Sequence, residues 1–305
     1  MIMNDTIADR MPATASVRTV VIPAAGLGTR MLPATKAIPK ELLTLVDRPI
    51  VQYGVEEAVR SGIRQVVLVT NPGNLMTASH FAPVPALEDA LAERGKTELL
   101  AAVRALTAMA DVTTVHQPEP HGLGHAVLCS RSAVGDAPFA VLLPDDVIDA
   151  DPPALRQMLD VFREVDGPVV LVERVPHAAV DRYGIIDAQP VRGGVHRVVD
   201  LVEKPAPDAA PSDLAIVGRY ILTPDAFPAL EATGAGSGGE IQLTDALRRL
   251  LKDRPIHAVE IDGIRHDAGT KAGYLKATLH FASKRPDLAA TIDAVLESRR
   301  AGLKR

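Results

Sequence analysis

Continuous apolar runs alternate with helical patterns through the first half of the chain. Arg18-Thr19-Val20-Val21-Ile22-Pro23 is apolar without interruption at its centre, which predicts a strand covered on both faces. Over residues 49–62, apolar positions recur at Ile50, Tyr53, Val55, Ala58 and Val59. That is helical spacing, with Pro49 suited to a first turn and Gly62 to an end. Residues 65–69 predict a second buried strand. Helical patterns follow over 86–94 and 97–109, a strand over 112–116, a helix over 124–134 and a strand over 139–143. Strand and helix in alternation predict a doubly wound α/β layer, in which ligands bind beyond the carboxyl ends of the strands. The segments after Pro23, His116 and Leu143 all fall at such ends.

The second half is less regular. Strands are predicted over 169–175, 185–187, 195–202 and 214–222, and a loop over the Pro- and Ala-rich residues 205–212. Residues 233–239 are Gly-rich. A helix is predicted to open at Gly239-Glu240 and run to Leu251, with Glu240 and Asp245 supporting its start. The segment 270–300 is helical in pattern with a break near Pro286.

Composition narrows the classes. The chain has 305 residues, a formal net charge of -5 and 23% charged residues, which is ordinary for a globular enzyme. No global basic field is available for nucleic acid or a membrane surface, so an anionic substrate needs local cations. The single cysteine, Cys129, allows no internal disulfide and suits a reducing, cytoplasmic setting. No apolar run is long enough to span a bilayer. Residues 1–17 carry Asp5 and Asp9 without an apolar core, and read as a disordered leader.

Four clusters carry chemistry. Ala24-Ala25-Gly26-Leu27-Gly28-Thr29-Arg30 follows a strand directly, and its small residues let backbone amides approach phosphate oxygens or a base edge. Met31 replaces the third glycine of a dinucleotide fingerprint, and no Gly-Lys-Ser/Thr closes a P-loop. Taken alone the segment is a tight turn. Lys36 and Lys40 follow in a stretch stiffened by Pro33 and Pro39, which together with Arg30 suggests a triphosphate cradle. The second cluster, Gln117-Pro118-Glu119-Pro120-His121-Gly122-Leu123-Gly124-His125, holds a side-chain amide able to match a pyrimidine edge. The third, Leu143-Pro144-Asp145-Asp146, ends an apolar strand in the hard oxygen donors that magnesium prefers. The fourth is Val202-Glu203-Lys204-Pro205, where Glu can accept from sugar hydroxyls and Lys can neutralise a phosphate.

Gly26-Leu27-Gly28-Thr29-Arg30 with Pro39-Lys40-Glu41-Leu42-Leu43 resembles the signature of the bacterial nucleotidyltransferases that activate sugar 1-phosphates. The form Gly122-Leu123-Gly124-His125-Ala126 is similar to their uridylyltransferase branch, and the resemblance runs from about Thr19 to about Ala282. It implies a Rossmann-like mixed sheet flanked by helices, of the glycosyltransferase-A-like kind, Mg2+ as cofactor, and a dimer or tetramer. It divides the chain into a nucleotidyltransferase domain over 18–285, with a nucleotide-binding half to about 150 and a sugar-binding half over 151–270, then a C-terminal helix over 286–305. By resemblance, Ala24, Ala25, Gly26, Gly28, Thr29, Arg30, Glu41, Gln117 and Gly122 bind the nucleotide. Gly184, Glu203 and Lys204 bind the sugar phosphate. Asp145 and Asp267 hold the metal, and Arg30, Lys40, Asp145 and Lys204 are the catalytic set. The implied reaction joins UTP and glucose 1-phosphate into UDP-glucose and pyrophosphate.

The sequence departs from the family at Asn71-Pro72-Gly73-Asn74, where a charged segment is usual, at Pro144 for Gly, and at His266 for Tyr. Rival readings are the same chemistry with dTTP or another sugar 1-phosphate, a non-catalytic homologue that binds sugar nucleotides, and a glycosyltransferase releasing UDP.

Overall fold

A computed structural model describes residues 16–165, 167–236 and 239–302. Most of the leader segment 1–17 lies outside the described residues. The chain runs β1 (Thr19–Ala24), β2 (Thr44–Leu45), β3 (Arg48–Pro49), α1 (Ile50–Arg60), β4 (Gln65–Thr70), α2 (Met76–Ser79), α3 (Pro85–Glu93), α4 (Thr97–Thr107) and β5 (Asp111–His116). Then come α5 (Leu123–Cys129), α6 (Arg131–Val134), β6 (Phe139–Leu142), β7 (Asp146–Asp149), α7 (Ala154–Phe162) and β8 (Val169–Arg174). The remainder is β9 (Gly184–Arg192), β10 (Val195–Glu203), β11 (Leu214–Leu222), α8 (Ala226–Glu231), α9 (Leu243–Leu250), β12 (His257–Glu260), β13 (Ile264–Asp267), α10 (Lys271–Ser283) and α11 (Pro286–Gly302).

Nine of these strands form one sheet in the order β5-β4-β1-β6-β11-β8-β12-β10-β9. The β5-β4-β1-β6 portion is parallel. The remainder mixes senses: β11 is antiparallel to both β6 and β8, while β12 is parallel to β8. The expected mixed sheet flanked by helices is therefore present, and it runs unbroken past residue 150. Alternate strand residues feed two cores, as the two-residue period of a strand requires. Val21, Phe139, Val141 and Tyr220 pack on one face with α5, α8 and α9. Val20, Ile22, Leu142 and Ile221 pack on the other with α1 and α7. Phe139 and Phe227 stack with ring centroids 5.0 Å apart across the first core. Among the described residues no helix is long and apolar enough to cross a membrane.

Local chemistry explains the element ends. Past α1, the Ile63 amide donates to the Ala58 carbonyl and the Gly62 amide to Val59, both at 2.9 Å. That closes a Schellman motif on Gly62, whose φ of 94° a side chain would resist. The helix expected over 124–134 is instead two, α5 and α6, parted at buried Ser130. The Ser130 hydroxyl donates to the Val127 carbonyl at 2.7 Å and competes with the helical ladder.

Candidate active site

The carboxyl end of the sheet opens into one cleft of about 860 Å³. Loops from both halves of the chain line it, and Lys40, Asp145, Lys204 and Asp267 all face it. Of the expected site residues, Ala25, Gly26, Gly28, Thr29, Arg30, Gln117, Gly122, Gly184 and Glu203 line it as well. Ala24 and Glu41 do not. Ala24 is still inside β1 and 1% exposed, and Glu41 is buried behind Lys40 at 1% exposed.

Lys40 forms the cationic centre. It opens a short 3-10 turn, Lys40–Leu42, held by Pro39 before it. A Cβ on Gly26 would come within 3.9 Å of its Nζ, so the lysine runs alongside the small-residue loop. Its Nζ donates to Asp145 Oδ2 at 2.6 Å, and Arg30 Nη2 stands 3.9 Å from the same oxygen. Burial alone would lower the Lys40 ammonium, but the Asp145 and Glu41 carboxylates outweigh it and hold its pKa above the ordinary value. Burial likewise works against the Asp145 carboxylate, and the charge and hydrogen bond of Lys40, with Arg30, hold its pKa below the ordinary value.

Asp267 joins this group through strand pairing. It ends β13, which pairs with β7 in a register that sets Asp267 opposite Asp146. The Ala268 amide donates to the Asp145 carbonyl at 2.7 Å. A Cβ on Gly269 would lie 2.5 Å from Asp145 Oδ2, 3.2 Å from Asp267 Oδ1 and 3.2 Å from Arg30 Nη2. Gly269 thus marks a point around which both carboxylates and one cation gather. Burial, then Asp146, push the Asp267 carboxyl up against the pull of Arg30.

Elsewhere on the cleft wall, β9 and β10 pair Gly184 with Glu203. A Cβ on Gly184 would stand 2.8 Å from Thr244 Oγ1 and 3.3 Å from Glu203 Oε2, so the strand start admits no side chain without displacement. Lys204 follows with φ 47°, a left-handed conformation that is uncommon without glycine. Its amide donates to the Tyr183 carbonyl at 2.9 Å and its Nζ lies 3.1 Å from Glu203 Oε1.

Gln117 lines the same cleft. It is 4% exposed, and its Nε2 lies 3.1 Å from both the Gly122 carbonyl and His125 Nδ1. Gly122, at φ 96°, would bring a Cβ to 2.7 Å from Glu240 Cβ and 3.0 Å from the Ile241 carbonyl. The Ile241 amide donates to the His121 carbonyl and the Gly124 amide to the Ile241 carbonyl. These bonds hold residues around 241 extended, which corrects the expected helix start. The helix begins at Leu243, and Glu240 lines the cleft and does not cap a turn.

Two residues central to this geometry, Arg219 and Arg265, carried no sequence signal strong enough to single them out, and Asp146 stood out only as the neighbour of Asp145. Asp146 Oδ2 accepts from the Gly218 amide at 2.8 Å and its Oδ1 from Arg265 at 2.5 Å. Arg265 also reaches Glu173 at 2.7 Å and the Tyr183 hydroxyl at 3.1 Å, tying the loop after β6 to the turn before β9. Arg219, 1% exposed in mid-strand, reads in sequence as one more position of an apolar run. Arg265 is marked only by its place two residues before Asp267.

Residues 19–284 match the nucleotidyl transferase family model. A UTP–glucose-1-phosphate uridylyltransferase of Bacillus subtilis is 47% identical over 272 residues, covering 89% of this chain and 93% of that protein. The UTP-bound UDP-glucose pyrophosphorylase of Acinetobacter baumannii superposes with a TM-score of 0.86 at 40% identity, covering 92% of this chain and 99% of that one. A UDP-glucose pyrophosphorylase complexed with UDP-glucose gives 0.81 at 39% identity, covering 88% and 100%. The chain belongs to the nucleotidyl transferase family, among its UTP–glucose-1-phosphate uridylyltransferases.

Proposed function

We propose that this chain joins UTP and glucose 1-phosphate into UDP-glucose and pyrophosphate. The observation that carries the proposal is the convergence of Arg30, Lys40, Asp145, Lys204 and Asp267 on one cleft, from loops far apart in sequence. Two polyanions must meet there, and fixed cations in a recessed site offset their repulsion. The attacking atom is an oxygen of the sugar phosphate, already anionic near neutral pH, so no general base is required. It forms the new bond to the α-phosphorus of UTP, the bond to the bridging oxygen breaks in line, and pyrophosphate leaves with its electron pair.

Lys204 stands beside Glu203 at the sugar end, where its ammonium neutralises the incoming phosphate and Glu203 accepts from hexose hydroxyls. Arg30 and Lys40 hold the triphosphate against the loop of small residues, whose amides add donors. Gln117 donates from Nε2 to the Gly122 carbonyl, which turns Oε1 to accept from the N3–H of uracil. Gly122 lets the base approach the backbone.

The donor set fits magnesium. The Asp145 and Asp267 carboxylates converge by Gly269, and a Cβ there would fill the space between them. Among the described residues no group of three or more His, Cys, Asp or Glu is placed to hold a metal. Two carboxylates completed by phosphate oxygens and water suit an ion that keeps most of its hydration. When bound, it supplies charge neutralisation at the phosphates.

The single cysteine supports a cytoplasmic location. Exposed Leu275, Leu279, Val295 and Leu296 on α10 and α11 support assembly into a dimer or tetramer.

The test is pyrophosphate release with glucose 1-phosphate and each of four nucleoside triphosphates. UTP is expected to dominate. Equal turnover with dTTP would refute the assignment of the base, and no turnover with any of them would refute the reaction.

A further inference from the structure

We infer that Arg219 is a positioning residue that sets the Asp145 carboxylate in place through the loop that carries it. The inference rests on the proposed reaction and on Asp145 as a metal-holding group. Arg219 is fully buried in the middle of β11 and is absent from the cleft wall, so it touches no substrate. Its guanidinium nevertheless grips both ends of the turn around Asp145. Nη1 donates to the Leu143 carbonyl at 3.1 Å and Nη2 to the Asp146 carbonyl at 2.8 Å. Asp145 lies between these two anchors.

The remaining donors are directed away from the loop. Nη2 and Nε meet the Glu57 carboxylate at 2.7 Å and 3.1 Å, and Nη1 also donates to the Gly218 carbonyl at 2.9 Å. Glu57, on α1, accepts in addition from the Leu155 amide in the first turn of α7 at 3.0 Å. The fork is therefore held by two helices before it reaches the turn. A planar guanidinium with five donors can bridge one carboxylate and several carbonyls at once, which a lysine ammonium does in no orientation.

The position of Asp145 matters because its contacts are short. Lys40 Nζ is 2.6 Å from Oδ2, and Asp267 must share its surroundings near Gly269. Gly218 adds a second restraint from the same strand: its amide donates to Asp146 Oδ2 and its carbonyl accepts from the Leu143 amide, both at 2.8 Å. The β6–β11 pairing thus continues past the strand end into the loop, and Arg219 extends that lattice to the far side of Asp145.

Two variants separate positioning from plain stability. Arg219→Lys keeps the buried charge opposite Glu57 but loses at least one loop carbonyl. Glu57→Gln leaves the guanidinium on the loop but removes its counter-charge, so it is expected to unfold at the lower temperature of the two. Metal binding is read from free Mn2+ by electron paramagnetic resonance with UTP present, beside thermal unfolding and steady-state kinetics. Arg219→Lys is expected to weaken Mn2+ by roughly tenfold to a hundredfold, the usual effect of losing an outer support of a ligand. It should lower kcat more than it raises KM for glucose 1-phosphate. Glu57→Gln, though less stable, is expected to keep tighter Mn2+ binding than Arg219→Lys. Mn2+ affinity that follows thermal stability across the two variants overturns the inference. So does wild-type affinity in Arg219→Lys, which decides the matter alone if Glu57→Gln does not fold. Failure of the wild-type chain to bind Mn2+, or full binding by Asp145→Asn, would instead count against the metal assignment itself.

Discussion

Glu41 is a carboxylate in the wrong surroundings, and replacing it with glutamine makes a quantitative test. It is 1% exposed, and neither carboxylate oxygen has a hydrogen-bond partner among the described residues. Lys40 Nζ is 4.0 Å away but is committed to Asp145 at 2.6 Å. Burial, against the pull of Lys40, pushes the Glu41 carboxyl from 4.5 to about 7. In the unfolded chain the group loses its proton near the lower value, while the folded protein keeps it to the higher one. Between them the unfolded state binds fewer protons, so stability falls as pH rises through this window. At about 1.4 kcal/mol per pH unit, the loss by pH 8 is about 3 kcal/mol. Glu41→Gln preserves volume and removes the titration. Its own unpartnered amide carries a penalty of about 1–3 kcal/mol, but that penalty does not change with pH. Urea unfolding of wild type and variant, at pH 5 and pH 8 and matched ionic strength, isolates the difference. Part of the loss is already present at pH 5, so the variant is expected to gain about 2.5 kcal/mol on wild type between the two pH values. A wild-type-minus-variant difference that is the same at both would mean that Glu41 does not titrate in this range, and the argument from its burial would fail.

Two further outcomes follow from the cleft. Lys40→Ala and Asp145→Asn should each lower kcat by about a hundredfold or more, as loss of a preorganised charge does, while circular dichroism stays native. Wild-type turnover in both would remove these residues from the chemistry. Gly122→Ala forces a Cβ to within 2.7 Å of Glu240 Cβ and keeps a backbone of φ 96° that alanine resists. Its KM for UTP should rise by about tenfold, whereas KM for glucose 1-phosphate should stay within about twofold. Equal changes in both would show a general loosening of the cleft.

Much of the fold was legible because buried parallel strands have a simple signature. The runs at Val20–Ile22 and at Phe139–Leu142 admit no polar residue, and β11 was bounded correctly from apolar content alone. Elements whose reason lies elsewhere in the chain were not legible. The β7 strand exists because β13 pairs with it more than a hundred residues later, and neither stretch has strong alternation of its own. The β2–β3 hairpin is two residues a side, too short to carry a period. The start of α9 was misplaced because His121 and Gly124 bond the backbone at Ile241, and no local propensity reports a bond from that distance. The site follows the same division. Lys40, Asp145, Gln117 and Lys204 stand in short motifs with their own chemistry. Arg219 and Arg265 act by gripping carbonyls and carboxylates of other loops, which only three dimensions bring near. Glu41 belongs to a motif yet turns inward, since the 3-10 turn at Lys40 sends neighbouring side chains in different directions.

One consequence of strand β11 concerns motion. It is hydrogen-bonded on one edge to β6, from the parallel portion, and on the other to β8, from the mixed portion. Two rigid lobes swinging about a flexible waist would have to tear that ladder. Shutting over bound reactants is therefore left to peripheral segments, and small-angle scattering with and without UDP-glucose should report the same radius of gyration. The separation between the proposed uracil and hexose subsites is then a constant of the architecture. Changing which sugar is accepted calls for resculpting rims, with the span between pockets left as it is.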